Sequence, residues 1–155
     1  MADNTPRTEV NDDLVGRFLS FNIGDSLYGI ELPYVIEIVG MQQITVVPSL
    51  PYYILGIMNL RGKVVPVIDV RMKLNQEQRP YDDKTCIIIT QIEEMQVGLI
   101  VDSVAEVLSS TQTDKMPPPE IPTNAENYIH SIMHLDGKVV LCLDCEKFFS
   151  SELKM

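Results

Sequence analysis

The sequence predicts an all-β protein with short helices, arranged as two similar lobes of about five strands each. The first sign is an internal repeat. Ile57-Met58-Asn59-Leu60-Arg61-Gly62-Lys63-Val64-Val65-Pro66-Val67-Ile68-Asp69 recurs as Ile132-Met133-His134-Leu135-Asp136-Gly137-Lys138-Val139-Val140-Leu141-Cys142-Leu143-Asp144, identical at eight of thirteen positions. Upstream, Gly29 with Val35-Ile36-Glu37-Ile38 recurs as Gly98 with Val104-Ala105-Glu106-Val107. The second sign is apolar alternation between turn residues, the pattern of short strands joined by hairpins. The third is size: 155 residues with 45% hydrophobic content suit one compact unit or two small lobes with a packed core. The repeat divides the chain into halves at about 17–80 and 81–150, and about five strands per half fit a small closed or nearly closed barrel that protects its edges.

Residues 1–15 carry Asp3, Glu9, Asp12 and Asp13 with almost nothing apolar and read as a flexible acidic tail ahead of a domain at 16–150. From Arg17, the residues Leu19, Phe21 and Ile23 alternate with Ser20 and Asn22, the period of a half-buried strand. Gly24-Asp25-Ser26 then turns the chain into Leu27 to Glu31. Pro33 pre-sets a short helix over Tyr34 to Val39, with Gly40 as its stop. Ile44 to Val47 reads as a strand ended by Pro48 and Pro51; Gly56 to Leu60 and Lys63 to Ile68 pair around Arg61-Gly62. The polar run Asn75 to Lys84 falls between the halves. After it come strands over Thr85 to Gln91 and Gln96 to Val101, joined at Glu93-Glu94, and a short helix from Ser103 to Val107. An extended loop starts at Met116-Pro117-Pro118-Pro119. Ile129 to Leu135 and Lys138 to Leu143 pair around Asp136-Gly137, and Asp144 caps a closing helix through Phe149.

Charge narrows the partners. Against 12 basic residues stand 22 acidic ones, a net charge of -10, so phosphate backbones and anionic lipid surfaces are repelled and a nucleic-acid-binding barrel is disfavoured. No apolar run approaches the roughly 20 residues of a bilayer span, which argues against direct membrane insertion. The expected location is cytoplasmic, with Cys86, Cys142 and Cys145 as reduced thiols.

Several constellations suggest chemistry and fail on inspection. Gly56 with Gly62-Lys63 resembles a phosphate loop, but five residues separate the glycines and Val64 stands where Ser or Thr would hold magnesium. His130, His134, Cys142 and Cys145 could supply a zinc site, the alternative reading from another class. The first repeat fills two of those positions with Asn59 and Val67, however, so that half folds without metal. No catalytic residues and no cofactor are expected. Asp69, Asp102 and Asp144 each follow an apolar strand and read as caps.

Arg61 is different. A two-residue hairpin turn of type I′ wants Asn, Asp or Gly before Gly, and here a long cation takes that place. Either the turn is type I with a bulge at Gly62, which accepts arginine, or the guanidinium reaches a carboxylate, with Glu37 of the same half the first choice for a structural pair. Val64 to Ile68 and Val139 to Leu143 are apolar on both parities, so something covers their outer faces. Either one lobe packs on the other, or an apolar groove is left for a protein partner, lined by Val35, Ile38, Val104 and Val107.

These residues carry a family resemblance. Tyr28-Gly29-Ile30, Val35-Ile36-Glu37-Ile38, Ile44-Thr45, Val47-Pro48 and the run from Gly56 to Arg71, above all Asn59-Leu60-Arg61-Gly62 followed by Val65-Pro66-Val67-Ile68-Asp69, are similar to the CheW family of chemotaxis coupling proteins. The likeness runs from about Arg17 to Phe149. It implies two pseudo-symmetric five-stranded SH3-like barrels packed together in a non-catalytic adaptor. Such an adaptor links the cytoplasmic tip of methyl-accepting chemoreceptors to the regulatory domain of the histidine kinase CheA, in arrays associated with the membrane through its partners. Carried onto this chain, the resemblance puts Val35, Glu37, Gly56, Arg61, Val104 and Val107 at receptor-facing positions, with Ile38 joining them from the physical reading. It places no kinase-facing residues. The second hairpin departs from the pattern, with Asp136 in place of the arginine.

Overall fold

A computed structural model describes residues 16–109, 114–116, 128–135 and 137–149. The acidic tail and the prolines at 117–119 lie outside the described residues. Eleven strands follow in order: β1 (Arg17–Ile23), β2 (Ser26–Glu31), β3 (Val35–Gly40), β4 (Ile54–Leu60), β5 (Lys63–Asp69), β6 (Cys86–Ile92), β7 (Met95–Val101), β8 (Ser103–Ser109), β9 (Asp114–Met116), β10 (Ile129–Leu135) and β11 (Lys138–Leu143). Two one-turn helices, α1 (Val70–Lys73) and α2 (Cys145–Phe148), close the two repeated hairpins.

The strands form a six-stranded sheet in the order β8-β1-β2-β11-β10-β9 and a five-stranded sheet in the order β3-β6-β7-β5-β4. This is the all-β, two-lobed architecture the sequence predicts, with the SH3-like lobes the resemblance implies, but the sheets stay open and do not close into barrels; the sixth strand is the three-residue β9 added at one edge. The sheets do not follow the halves of the repeat. Hairpin β1–β2 of the first half lies in the sheet of β8 to β11, and hairpin β6–β7 of the second half lies between β3 and β5. The joints are parallel, Leu141 of β11 beside Tyr28 of β2 and Ile68 of β5 beside Leu99 of β7, and parallel neighbours need a long crossover, which the exchange provides.

Three cores explain why some strands are apolar on both faces. Met58, Val65, Val67, Ile87, Ile89 and Ile100 fill the inside of the five-stranded lobe. Phe18, Leu108, Met133, Val140 and Cys142 fill the other. Between the sheets, Leu19, Phe21, Ile68, Ile88, Leu99, Leu143 and Phe148 belong to one continuous core. Along β5, Val65 and Val67 therefore face their own lobe while Ile68 faces the other; along β11, Val140 and Cys142 do the same against Leu143. Only Val64 and Val139, beside the hairpin tips, keep 64% and 47% exposure. Strand β1, which alternation predicts as half-buried, is covered on both faces, because Leu19 and Phe21 lie in the shared core and Phe18 in the core of its own lobe.

Two expected helices are strands. Pro33 and Gly40 predict a helix over Tyr34 to Val39, yet Pro33 sits in a single 3-10 turn, Leu32–Tyr34, and Val35 onward is β3 paired with β6. Ser103 to Val107 likewise belongs to β8, paired with β1. Val35, Ile36, Ile38 and Val39 are β-branched, a composition that favours a pleated surface once a neighbour is present, and exposure along β3 alternates with period two. Ile44 to Val47 makes only an isolated bridge, in which Thr45 exchanges both backbone hydrogen bonds with Ile57 at 2.8 and 2.9 Å.

Candidate protein-docking site

The β4–β5 hairpin pairs Leu60 with Lys63, leaving Arg61 and Gly62 as a two-residue turn with φ of 53° and 87°. Both values are positive, so the turn is of the primed type whose twist matches the strands, and not the type I turn with a bulge that would have accepted arginine freely. Asn59 Oδ1 accepts the Gly62 N–H at 2.9 Å and steadies it. Arg61 thus holds a left-handed backbone that disfavours any residue with a Cβ. Its guanidinium forks onto Glu37 of β3, Nη1 to Oε2 at 2.5 Å and Nη2 to Oε1 at 2.8 Å. The hydrogen bond from Arg61, with its charge, holds the Glu37 carboxyl below the usual range, so the pair is fully ionised at neutral pH. With the Arg61 side chain 69% exposed, this fork orients groups at the surface more than it stabilises the fold.

Glu37 belongs to β3, an edge strand of the five-stranded sheet, and Val104 and Val107 belong to β8, an edge strand of the six-stranded sheet. These edges are repeat-equivalent, and the start of β8 lies near the end of β3. Val35 and Val104 pack against the same shared core, and the Val104 backbone hydrogen-bonds the sulfur of Cys86, which lies opposite Gly40 at the end of β3. Ile36, Ile38 and Val107 are 47%, 43% and 49% exposed, an apolar strip on both edges with the Arg61–Glu37 pair on one of them. Ile36 was not among the expected residues; its signal was the β-branched run itself.

Gly56 stands apart. A Cβ there would lie 2.0 Å from the Thr45 carbonyl oxygen, because the Thr45 bridge crosses directly over it. Its side chain is missing so that this backbone can approach.

Of the three aspartates read as caps, Asp69 and Asp144 are the N-caps of α1 and α2, accepting from Met72 N and Lys147 N. Asp102, between β7 and β8, does more. Its carboxylate takes Arg71 Nη2 at 2.7 Å, Arg71 Nε at 2.9 Å and the Gly24 N–H at 2.7 Å, with Arg79 Nη1 at 3.2 Å. Burial pushes its carboxyl up, but the Arg71 hydrogen bond, the Gly24 N–H and the two positive charges outweigh burial and hold it low. This half-buried knot has no local signal in the sequence.

The zinc reading is overturned. Cys142 is buried inside the six-stranded lobe and Cys145 in the core between the sheets, while His134 is exposed on β10. Among the described residues no group of three or more His, Cys, Asp or Glu is placed to hold a metal. Nor is any described helix long and apolar enough to cross a membrane.

The comparisons with known proteins fit this geometry. Residues 17–153 match the CheW-like domain family. The chain belongs to that family. Chemotaxis protein CheW of Klebsiella aerogenes is 37% identical over 154 residues, covering 98% of this chain and 93% of that protein. The Treponema pallidum chemotaxis protein CheW is 32% identical, covering 92% and 86%. Among solved structures, the scaffolding protein TtCheW from Thermoanaerobacter tengcongensis superposes with a TM-score of 0.77 at 32% identity, over 86% of this chain and 92% of its own. This CheW-like chain stands among chemotaxis scaffold proteins, with the CheW-like positions Glu37 and Arg61 in direct contact.

Proposed function

We propose that this protein is a non-catalytic adaptor that couples the cytoplasmic tip of methyl-accepting chemoreceptors to the regulatory domain of CheA. The observation that carries the reading is the pairing of two apolar edge strands from different sheets with the exposed Arg61–Glu37 fork. A helical receptor tip offers apolar side chains along one face and polar ones at its margin. Val35, Ile38, Val104 and Val107 supply apolar contact for that face, and the fork supplies a fixed polar contact beside it. Gly56 belongs to the receptor site through the backbone it lets approach.

The chain acts by geometry. The shared core between the sheets joins both walls of the groove into one body, so a change in receptor packing at the groove is passed to the kinase as a shift between its active and inactive populations. Receptor tip, CheA and this protein are to be reconstituted together, with kinase activity as the readout. Val35→Asp and Val104→Asp are expected to abolish receptor-dependent control while the circular dichroism spectrum stays native. Receptor affinity unchanged in both variants would refute the groove.

A further inference from the structure

Beyond its first residue, Arg17, strand β1 carries two polar residues, Ser20 and Asn22, in an otherwise apolar run. Alternation reads them as a wet face, but Ser20 is 1% exposed. Its environment explains it. The β1–β8 register sets Leu19 against Val107 and Phe21 against Val104, so Ala105 and Glu106 together stand against Ser20, two residues opposite one. Such a bulge leaves an unpaired backbone group in a strand that already lies at an edge. The Ser20 hydroxyl closes it from both sides: Oγ donates to the Glu106 carbonyl at 2.7 Å and accepts the Glu106 N–H at 3.1 Å. Two residues on, Asn22 Nδ2 donates to Ser103 Oγ at 2.9 Å, and the Asn22 carbonyl accepts the Asp102 N–H. Ser20 and Asn22 are both spent on β8.

The repeat shows why such tethers are needed here. Glu106 is the counterpart of Glu37. On β3 the glutamate is gripped through its carboxylate by Arg61, and the β6 residue opposite it is the apolar Ile89. The second hairpin has Asp136 where the first has Arg61, and among the described residues no ion pair forms on Glu106. The second edge is therefore held by its backbone, from beneath.

We infer that Ser20 is a positioning residue for the docking site: through its two hydrogen bonds to Glu106 it fixes the bulge that aims Val104 and Val107 at the partner. The inference rests on the adaptor reading for its functional half, and its structural half stands alone.

The test uses the full chain, amide hydrogen exchange, and affinity for a purified chemoreceptor cytoplasmic-tip fragment. Ser20→Ala is expected to speed exchange at Glu106 about tenfold while Ile88 and Leu99 stay slow, and to weaken the tip roughly three- to tenfold. Ser20→Cys, similar in size with a weaker donor, falls between Ala and wild type and serves where Ala folds poorly. Val65→Ala, a cavity in the core of the other lobe opposite Met58, is expected to lower Tm yet leave tip affinity within about twofold. The inference is overturned if Glu106 exchanges in Ser20→Ala as in wild type, if exchange rises and affinity does not fall, or if Val65→Ala loses as much affinity. A wild-type chain that fails to bind the tip sinks the adaptor reading instead, and the exchange arm then decides the role of Ser20.

Discussion

Arg61 adopts a left-handed backbone, φ 53°, and from there holds both carboxylate oxygens of Glu37. Glycine would fit that turn with less strain, and an exposed ion pair returns little stability. The arginine is therefore poorly explained by folding, as the proposed receptor contact requires. Arg61→Gly is predicted to keep Tm within roughly 2 °C of wild type while weakening the receptor tip about tenfold. Differential scanning calorimetry and isothermal titration on the same preparation check both halves. A large fall in Tm would mean that the fork is structural.

Gly56 and Gly62 should respond differently to the same added methyl group. At Gly62 a Cβ meets nothing within 4 Å and only the φ of 87° is unfavourable, so Gly62→Ala costs about 1 kcal/mol. At Gly56 the methyl would overlap the Thr45 backbone, and Gly56→Ala is predicted to cost about 3 kcal/mol or more by urea unfolding. Equal costs would contradict the crossing of Thr45 over Gly56.

The Asp102 knot gives a pH dependence with a definite sign. Arg71 and Asp102 are 14% and 13% exposed, and removing one partner of this half-buried pair strips the other of its charge-assisted hydrogen bonds. Asp102→Asn should therefore cost about 2 kcal/mol at neutral pH. Because the folded-state value of Asp102 is depressed, its contribution is fully present above the unfolded value, about 3.9, and is lost as pH falls through the folded value. The stability gap between wild type and Asp102→Asn should stay constant from about pH 8 to pH 5 and close below about pH 4. Urea titrations across that range would expose a gap that grows on acidification, which this geometry forbids.

Burial raises the Cys86 thiol, and burial with the nearby charges of Glu31 and Asp144 raises Cys145 further. Cys142 is enclosed in the six-stranded lobe. Thiolate is the reactive form, so native protein at pH 8 should resist iodoacetamide and yield all three thiols only in denaturant. Mass spectrometry after timed alkylation checks this. Rapid native labelling of Cys145 would contradict its enclosure between the sheets.

Much of the architecture was legible because it is local or repeated. The hairpins around Gly24, Arg61-Gly62 and Glu93-Glu94, and the caps Asp69 and Asp144, follow from turn chemistry within a few residues. Strands β3 and β8 misled because six or seven apolar-rich residues fit either period, and Pro33 and Gly40 imitate helix ends. Pairing with β6 and β1 decided them. The exchange of hairpins has no local signature at all, since it depends on which copy of a repeated strand finds which partner. Arg61 stood out because a cation occupied a place made for Asn, Asp or Gly. Ser20 and Asp102 did not, because their partners lie far along the chain, 86 residues away for Glu106 and 31 for Arg71. A polar residue in an alternating strand looks ordinary until its neighbour is known.

The proposed function requires that edge strands from two different sheets form a single receptor site. The most direct measurement is a titration of isotope-labelled protein with receptor-tip fragment, following backbone amide shifts. Val35 to Ile38, Arg61 and Val104 to Val107 should all shift and saturate together at one concentration. Shifts confined to one edge strand, or centred on Val64 and Val139 at the hairpin tips, would contradict it.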